Sequence, residues 1–226
     1  MPKLSGFVFD FDGTLAVLNI DFVGLKRTVV AMAKAFDVFI EDKILDLPLL
    51  ELISALENRI PSSRDFNIFK ISALRLIKDA EIKAAKKGKL FHFTKPLLNK
   101  LKRLGFFTAI ITRNCDTAVR IVFPDIEHYC HVFLPRESVK RVKPHPEHIN
   151  AALTKFGKSK DSCLIIGDHP LDIVAGCEVG IMTAGVGSGR ITEVKLKEAG
   201  ADFVAPDCLE LFRRLQREGL INGFDL

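Results

Sequence analysis

The chain is most constrained by a rhythm of short apolar runs, each stopping at a polar residue or glycine and most followed by a stretch of helical periodicity. Six runs read as strands: Gly6–Phe11, Phe107–Ile111, Tyr129–Leu134, Cys163–Gly167, Met182–Val186 and Asp202–Ala205. Helical patterns cover Pro96–Leu104, Pro146–Phe156, Leu171–Val179 and Val194–Ala199, and each is followed by a glycine, at 105, 157, 180 and 200, that can stop it. Strands so uniformly apolar are buried on both faces, and repeated strand-then-helix order builds a parallel sheet wrapped by helices. The expected fold class is α/β, a doubly wound, Rossmann-like parallel sheet with its ligand at the carboxyl ends of the strands.

The rhythm breaks once. After Phe11 no convincing strand begins until near Phe106, a gap of nearly a hundred residues. Within it Phe22, Leu25, Val29, Val30, Met32, Ala33 and Phe36 recur at helical spacing, as do Ile44, Leu47, Leu49, Leu50, Leu52, Ile53 and Leu56, and then Phe69, Ile71, Leu74, Leu76 and Ile77. Pro61-Ser62-Ser63-Arg64-Asp65 separates the second and third helices and offers caps to the third. The predicted organisation is therefore an α/β core from residues 1–16 and 93–226, with residues 17–92 as a helical subdomain inserted after the first strand. At 226 residues the chain is long for one domain and short for two, which one domain with an insertion satisfies.

The candidate chemistry sits at strand ends. Asp10 and Asp12, in Phe9-Asp10-Phe11-Asp12-Gly13-Thr14-Leu15, are two carboxylates at i and i+2 that point the same way and repel unless a cation or proton intervenes. A turn capped by Thr14 is the bland alternative. A second pair, Asp168 and Asp172, follows the apolar run Leu164–Ile166, and a helix starting between them lets both face one crevice. Acidic pairs at two strand ends describe an oxygen-lined site for a hard cation such as Mg²⁺. Thr112-Arg113-Asn114, closing a third strand, offers a hydroxyl and backbone N–H groups to a phosphate, and Lys143 offers a point charge. His169 reads as neither metal ligand nor general base. Gly185, Gly187 and Gly189 match no phosphate-loop spacing and read as a flexible connection.

Composition narrows the partners. With 48% hydrophobic and 27% charged residues the chain folds around a real core and is not disordered or fibrous. A net charge of +5, partly local to Lys83, Lys86, Lys87 and Lys89, suits anionic small molecules and falls short of the basic stripe that nucleic acid requires. Five scattered cysteines without a Cys-x-x-Cys pair read as reduced, mostly buried thiols. The N-terminus runs directly into a strand rather than a signal peptide, and no apolar run approaches the roughly 18 residues that span a bilayer. The expectation is a cytoplasmic protein with no membrane partner, monomeric or homodimeric.

In this order the four segments resemble the haloacid dehalogenase superfamily of phosphohydrolases: Asp10-Phe11-Asp12-Gly13-Thr14 is similar to its first motif, Thr112 to its second, Lys143 to its third and Gly167-Asp168 to Asp172 to its fourth. The helical insertion resembles the cap of the subgroup of phosphoglycolate phosphatases and β-phosphoglucomutases. The resemblance implies that Asp10 is a nucleophile forming an aspartyl-phosphate and that Asp12 is the general acid and then the base. It further implies Mg²⁺ on Asp10, the Asp12 carbonyl, Asp168 and Asp172, with Thr112, Arg113, Asn114 and Lys143 on the phosphate and Thr14 orienting the first loop. Dehalogenases lack an acid at the position of Asp12 and transport ATPases carry threonine there, which favours a phosphatase or phosphomutase. His169-Pro170 replaces the small polar residues usual in the fourth motif.

The leading functional expectation is a Mg²⁺-dependent phosphatase acting on a small phosphorylated metabolite, phosphoglycolate-like or a sugar phosphate. The alternatives are a sugar phosphomutase of the β-phosphoglucomutase type and a non-catalytic regulatory or binding protein on the same fold. Substrate choice is expected in the insertion, where Arg59, Arg64 and Lys70 are candidate contacts for an acidic substrate tail.

Overall fold

In a computed structural model, which describes residues 3–157 and 159–225, the chain divides into two compact units, one running to Leu18 and resuming at Ala85, the other spanning Asn19–Ala84. These limits lie inside the predicted 17–92. The reason is a ribbon: after β1 (Gly6–Phe9), the two-residue strand β2 (Ala16–Val17) pairs antiparallel with β3 (Lys89–Leu90), Ala16 opposite Leu90 and Val17 opposite Lys89, which ties both crossings to the first unit.

The second unit is helical. Helix α1 (Phe22–Lys34) is capped by Asp21, whose carboxylate accepts the Gly24 N–H at 2.9 Å. The periodicity predicted one helix from Ile44 to Leu56, but the structure has two, α2 (Asp42–Leu45) and α3 (Leu49–Ala55). Pro48 divides them, because its ring removes a donor and pushes Leu47 out of helical conformation. The long α4 (Ser63–Ala85) starts on a reciprocal cap, Ser62 Oγ accepting from the Asp65 N–H at 3.1 Å and donating to its carboxylate at 2.6 Å. Val29, Ala33, Leu52, Ile53, Leu56, Phe69 and Ala73 are buried. Of the three cations offered to a substrate tail, Arg59 is paired with Glu41 at 2.7 Å, Lys70 lies over the Phe66 ring at 5.7 Å, and Arg64 is exposed.

The first unit continues with α5 (Thr94–Arg103), β4 (Phe107–Ile111), α6 (Asp116–Val122), β5 (Val132–Leu134), α7 (Glu147–Phe156), β6 (Cys163–Gly167), α8 (Pro170–Val179), β7 (Met182–Val186), α9 (Glu193–Glu198), β8 (Phe203–Ala205) and α10 (Cys208–Arg217). Six strands form one sheet in the order β5-β4-β1-β6-β7-β8, parallel throughout. This is the predicted doubly wound α/β fold. Phe7 lies opposite Thr108 on one side and Leu164 on the other. Side chains alternate across β1: Phe7 and Phe9 meet Phe212 of α10, at 4.8 and 6.1 Å between ring centroids, while Val8 packs in a core with Ile149, Ala152 and Phe156 of α7. Burial on both faces is why these strands read as continuous apolar runs.

Some predicted ends move. The first strand stops at Phe9, because the Phe11 carbonyl already accepts the Leu15 and Ala16 N–H groups of a turn. The third begins at Val132 rather than Tyr129, since Ile126–His128 is a 3₁₀ turn whose Ile126 carbonyl takes the N–H of Tyr129 and Cys130. Helix α10 was not predicted. α7 and α8 end at Gly157 and Gly180, both left-handed, as the glycine stops predicted.

His148 on α7 is buried, with Nε2 bonded to the Leu134 carbonyl at 3.0 Å. Burial, and after it the charge of Lys143, pushes its imidazolium down to about 3; Arg113 adds to this, and the Leu134 bond and Glu147 oppose it. A histidine that protonates near 6.5 when unfolded and only near 3 when folded stabilises the fold above pH 6.5 and loses that contribution as pH falls through the window between. The slope is about 1.4 kcal/mol per pH unit. His148→Gln keeps a donor for Leu134 and has no proton to gain. Urea unfolding at pH 7 and pH 5 should show the wild type losing about 2 kcal/mol more than the variant, from about 1.5 units of that slope; equal losses would refute a buried neutral imidazole.

Candidate active site

The sheet changes winding direction at β1: one half of the chain adds β4 and β5 to one side, the other adds β6, β7 and β8 to the opposite side. At such a switch point the loops after the central strands part and leave a crevice. Asp10 follows β1, Thr112 follows β4 and Asp168 follows β6, so residues far apart in sequence meet there. Asp10 is held in line by its N–H, which donates to the Ile166 carbonyl at 2.8 Å.

Asp10, Asp168 and Asp172 are all buried, and each contributes a carboxylate oxygen to a group lying within 4.8 Å of one another. Lys143, only 1% exposed, joins them: its Nζ donates to Asp10 Oδ1 at 2.7 Å and Asp172 Oδ1 at 2.5 Å. Burial works against the lysine's charge, yet the two carboxylates outweigh it and hold the ammonium above the usual range. Burial, opposed by Lys143 and reinforced by Asp172, raises Asp10 to about 6. Burial followed by the charges of Asp10, Asp172 and Asp12 raises Asp168 further, to about 9. Three hard oxygen donors crowded at this expense fit a divalent cation such as Mg²⁺, whose charge would remove the repulsion.

Asp12 does not join this cluster with its carboxylate. Its Oδ1 accepts the Leu18 N–H at 2.7 Å. Thr112 is buried, and its Oγ1 accepts the Asn114 N–H at 3.1 Å, a local turn that shapes the loop after β4. The Arg113 guanidinium reaches the carbonyl of Lys143, and the Arg113 carbonyl accepts from Arg136 at 2.8 Å, so this side chain laces the second-motif loop to the third. Thr14 Oγ1 and Asn114 Nδ2, both assigned to phosphate binding or loop orientation from sequence, are buried without a hydrogen-bond partner among the described residues. An orphaned hydroxyl and amide are costly unless something polar arrives, and a phosphate oxygen is a suitable guest.

His169, read as neither metal ligand nor base, caps a helix. Its Nδ1 accepts the Leu171 N–H at 3.2 Å while Asp172 Oδ2 accepts the His169 N–H at 3.2 Å, a capping box with Pro170 opening α8. The signal was available, since an aspartate three residues after a polar residue and just beyond a proline marks a helix start. Asp172 is therefore held from two sides, by the cap through Oδ2 and by Lys143 through Oδ1.

The fold and the carboxylate cluster define a hydrolase-type α/β site, and the comparisons agree. The haloacid dehalogenase-like hydrolase family matches residues 7–186, and the chain belongs to that family. A phosphoglycolate phosphatase from Haemophilus influenzae is 29% identical over 126 residues, 55% of this chain and 56% of that protein, so the chain spans about half the length of this relative. A protein of Clostridium perfringens that carries the name PpaX, a pyrophosphatase name, is 27% identical over 221 residues, covering 95% of this chain and 98% of its own. Among solved structures, a hydrolase from Pseudomonas syringae superposes with a TM-score of 0.66 at 24% identity, over 96% of this chain and 99% of that one.

Removing Lys143 strands two buried carboxylates. Lys143→Met should lower stability by about 3–5 kcal/mol at pH 8 in urea unfolding, the usual cost of breaking a buried pair. The loss should shrink toward pH 5, where Asp10, raised to about 6 by burial, takes up a proton. A loss below about 1 kcal/mol would mean that the pair is not a buried ion pair.

Proposed function

We propose that this protein is a Mg²⁺-dependent phosphatase that hydrolyses a small phosphate monoester through an aspartyl-phosphate on Asp10. One observation carries the reading: a buried lysine holds a carboxylate at the end of the central strand beside two further buried carboxylates, at the switch point of the sheet. The names of the relatives, phosphoglycolate phosphatase and pyrophosphatase, support the substrate class.

Asp10, Asp168 and Asp172, with the Asp12 carbonyl, are the residues to hold Mg²⁺. When bound, the cation supplies charge that offsets repulsion between these carboxylates and a dianionic phosphate. Asp10, aimed by Lys143, attacks phosphorus, and the P–O bond to the leaving alcohol breaks as the phosphoryl group passes to the carboxylate. Asp12 gives that alcohol a proton, then takes one from the water that attacks the aspartyl-phosphate, so that inorganic phosphate leaves and Asp10 is restored. Thr112, Asn114 and Lys143 bind the transferring oxygens. These residues meet only phosphate and metal, so discrimination among esters falls to other surfaces. We assign it to the helical insertion, predicted over 17–92, as a cap.

Release of inorganic phosphate from a panel containing phosphoglycolate, pyrophosphate and sugar phosphates, with Mg²⁺ or with EDTA, tests the reading directly. Turnover that survives EDTA, or none on any ester, would overturn it. Asp10→Asn should keep the fold and lose more than about 10²-fold in rate, because an amide cannot be phosphorylated. Residual activity above about a hundredth removes the nucleophile assignment.

Asp12→Ala should slow hydrolysis of an alkyl phosphate by about 10² to 10⁴. Aryl phosphates, whose leaving groups need little protonation, should suffer less. An unchanged rate on the alkyl ester would rule out the acid–base role.

A further inference from the structure

The run of Gly185, Gly187 and Gly189 reads by sequence as a flexible connection, yet the structure fastens it at three points. The Gly187 N–H donates to the Ala205 carbonyl at 2.9 Å, Ser188 Oγ donates to the Gly13 carbonyl at 2.7 Å, and Gly189 lies so close to Asp168 that a Cβ there would collide with the carboxylate. Gly13 meets the same carboxylate, and a Cβ built on it would collide as well. Two backbone segments, one from the first motif and one from the loop after β7, thus pack against Asp168, and the Ser188 bond joins them.

Among the described residues no hydrogen bond or ion pair aims the Asp168 carboxylate, in contrast to Asp10 and Asp172. After burial, the charges of Asp10, Asp172 and Asp12 push on it, and Lys143 opposes them less. A buried group pushed by like charges and held by no donor takes its direction from packing, and here the packing is glycine backbone. The spacing of those walls decides where the oxygens point. We propose that Ser188 and Gly189 are positioning residues of the cation site: Gly189 leaves the space that the Asp168 carboxylate occupies, and Ser188 fixes the Gly13 peptide, next to Asp12, against that wall. This rests on the assignment of Mg²⁺ to the carboxylate cluster.

The test is calorimetric titration of Mg²⁺ alone into full-length wild type, Ser188→Ala, Ser188→Thr and Gly189→Ala, with circular dichroism and melting without Mg²⁺ to verify folding. Partners that orient metal ligands are worth about 10- to 100-fold in affinity, so Ser188→Ala and Gly189→Ala should raise the Kd by that factor, Ser188→Ala with its native circular dichroism spectrum intact. Ser188→Thr, which keeps the hydroxyl, should stay within about threefold of wild type. If Gly189→Ala does not fold, Ser188→Ala decides, since it removes one atom and adds none. Wild-type affinity in Ser188→Ala, or equal weakening in the alanine and threonine variants, would overturn the proposal and leave the metal assignment standing. Failure of the wild type to bind Mg²⁺ would overturn both.

Discussion

The site is organised around one ammonium group. Lys143 is almost wholly buried and shared between Asp10 and Asp172, with Asp168 close by. Taking such charges out of water is expensive, and their attraction repays it only if the geometry holds. Much of the surrounding loop structure maintains that geometry with hydrogen bonds to the backbone. The Arg113 side chain grips the Lys143 carbonyl, Arg136 grips the Arg113 carbonyl, and His169 and Asp172 cap α8 together. Loosening any of these would let like charges drift apart, so the lacing and the charge cluster require one another.

Topology makes the cluster possible. Only at β1, flanked by β4 and β6 in parallel, do three strand ends from opposite arms of the chain lie side by side. The insertion leaves this arrangement undisturbed for a related reason. The β2–β3 ribbon brings the chain's departure at Leu18 and its return at Ala85 to the same unit. Closing a loop costs entropy only as the logarithm of its length, so a long helical excursion from a pinned base burdens the sheet little.

Legibility in the sequence followed the physics of each element. β4, β6 and β7 were read to the residue, because strands buried on both faces are apolar from end to end and stop where the polar site begins. The meeting of Asp10, Asp168 and Asp172 was legible in the same way, since acidic pairs at the ends of two buried strands repel one another and are costly to keep. Strands of two residues carry no periodicity, so β2 and β3 were invisible. Apolar spacing masked Pro48, whose effect is local and breaks a helix that the side-chain pattern would continue. Hydrogen bonds across the fold left no trace either: that Asp12 would turn to the Leu18 N–H, or that Ser188 would reach Gly13 from 175 residues away, depends on contacts fixed only once the sheet exists.

The balance of charge in the cluster points to what completes it. Three carboxylates against one ammonium leave two negative charges in a buried space if all are ionised. A dianionic phosphate brought to that space would be repelled by these carboxylates. Protonation is one relief, and the upward shift of Asp168 expresses it. It disarms the carboxylates, however, and does nothing to attract an anion. Under the proposed reading, a single divalent cation held by these carboxylates would cancel the excess, leave Asp10 charged, and make the cluster attractive to phosphate. The glycines packed against Asp168 fit the same proposal, because a wall of backbone leaves the carboxylate oxygens uncovered for an ion.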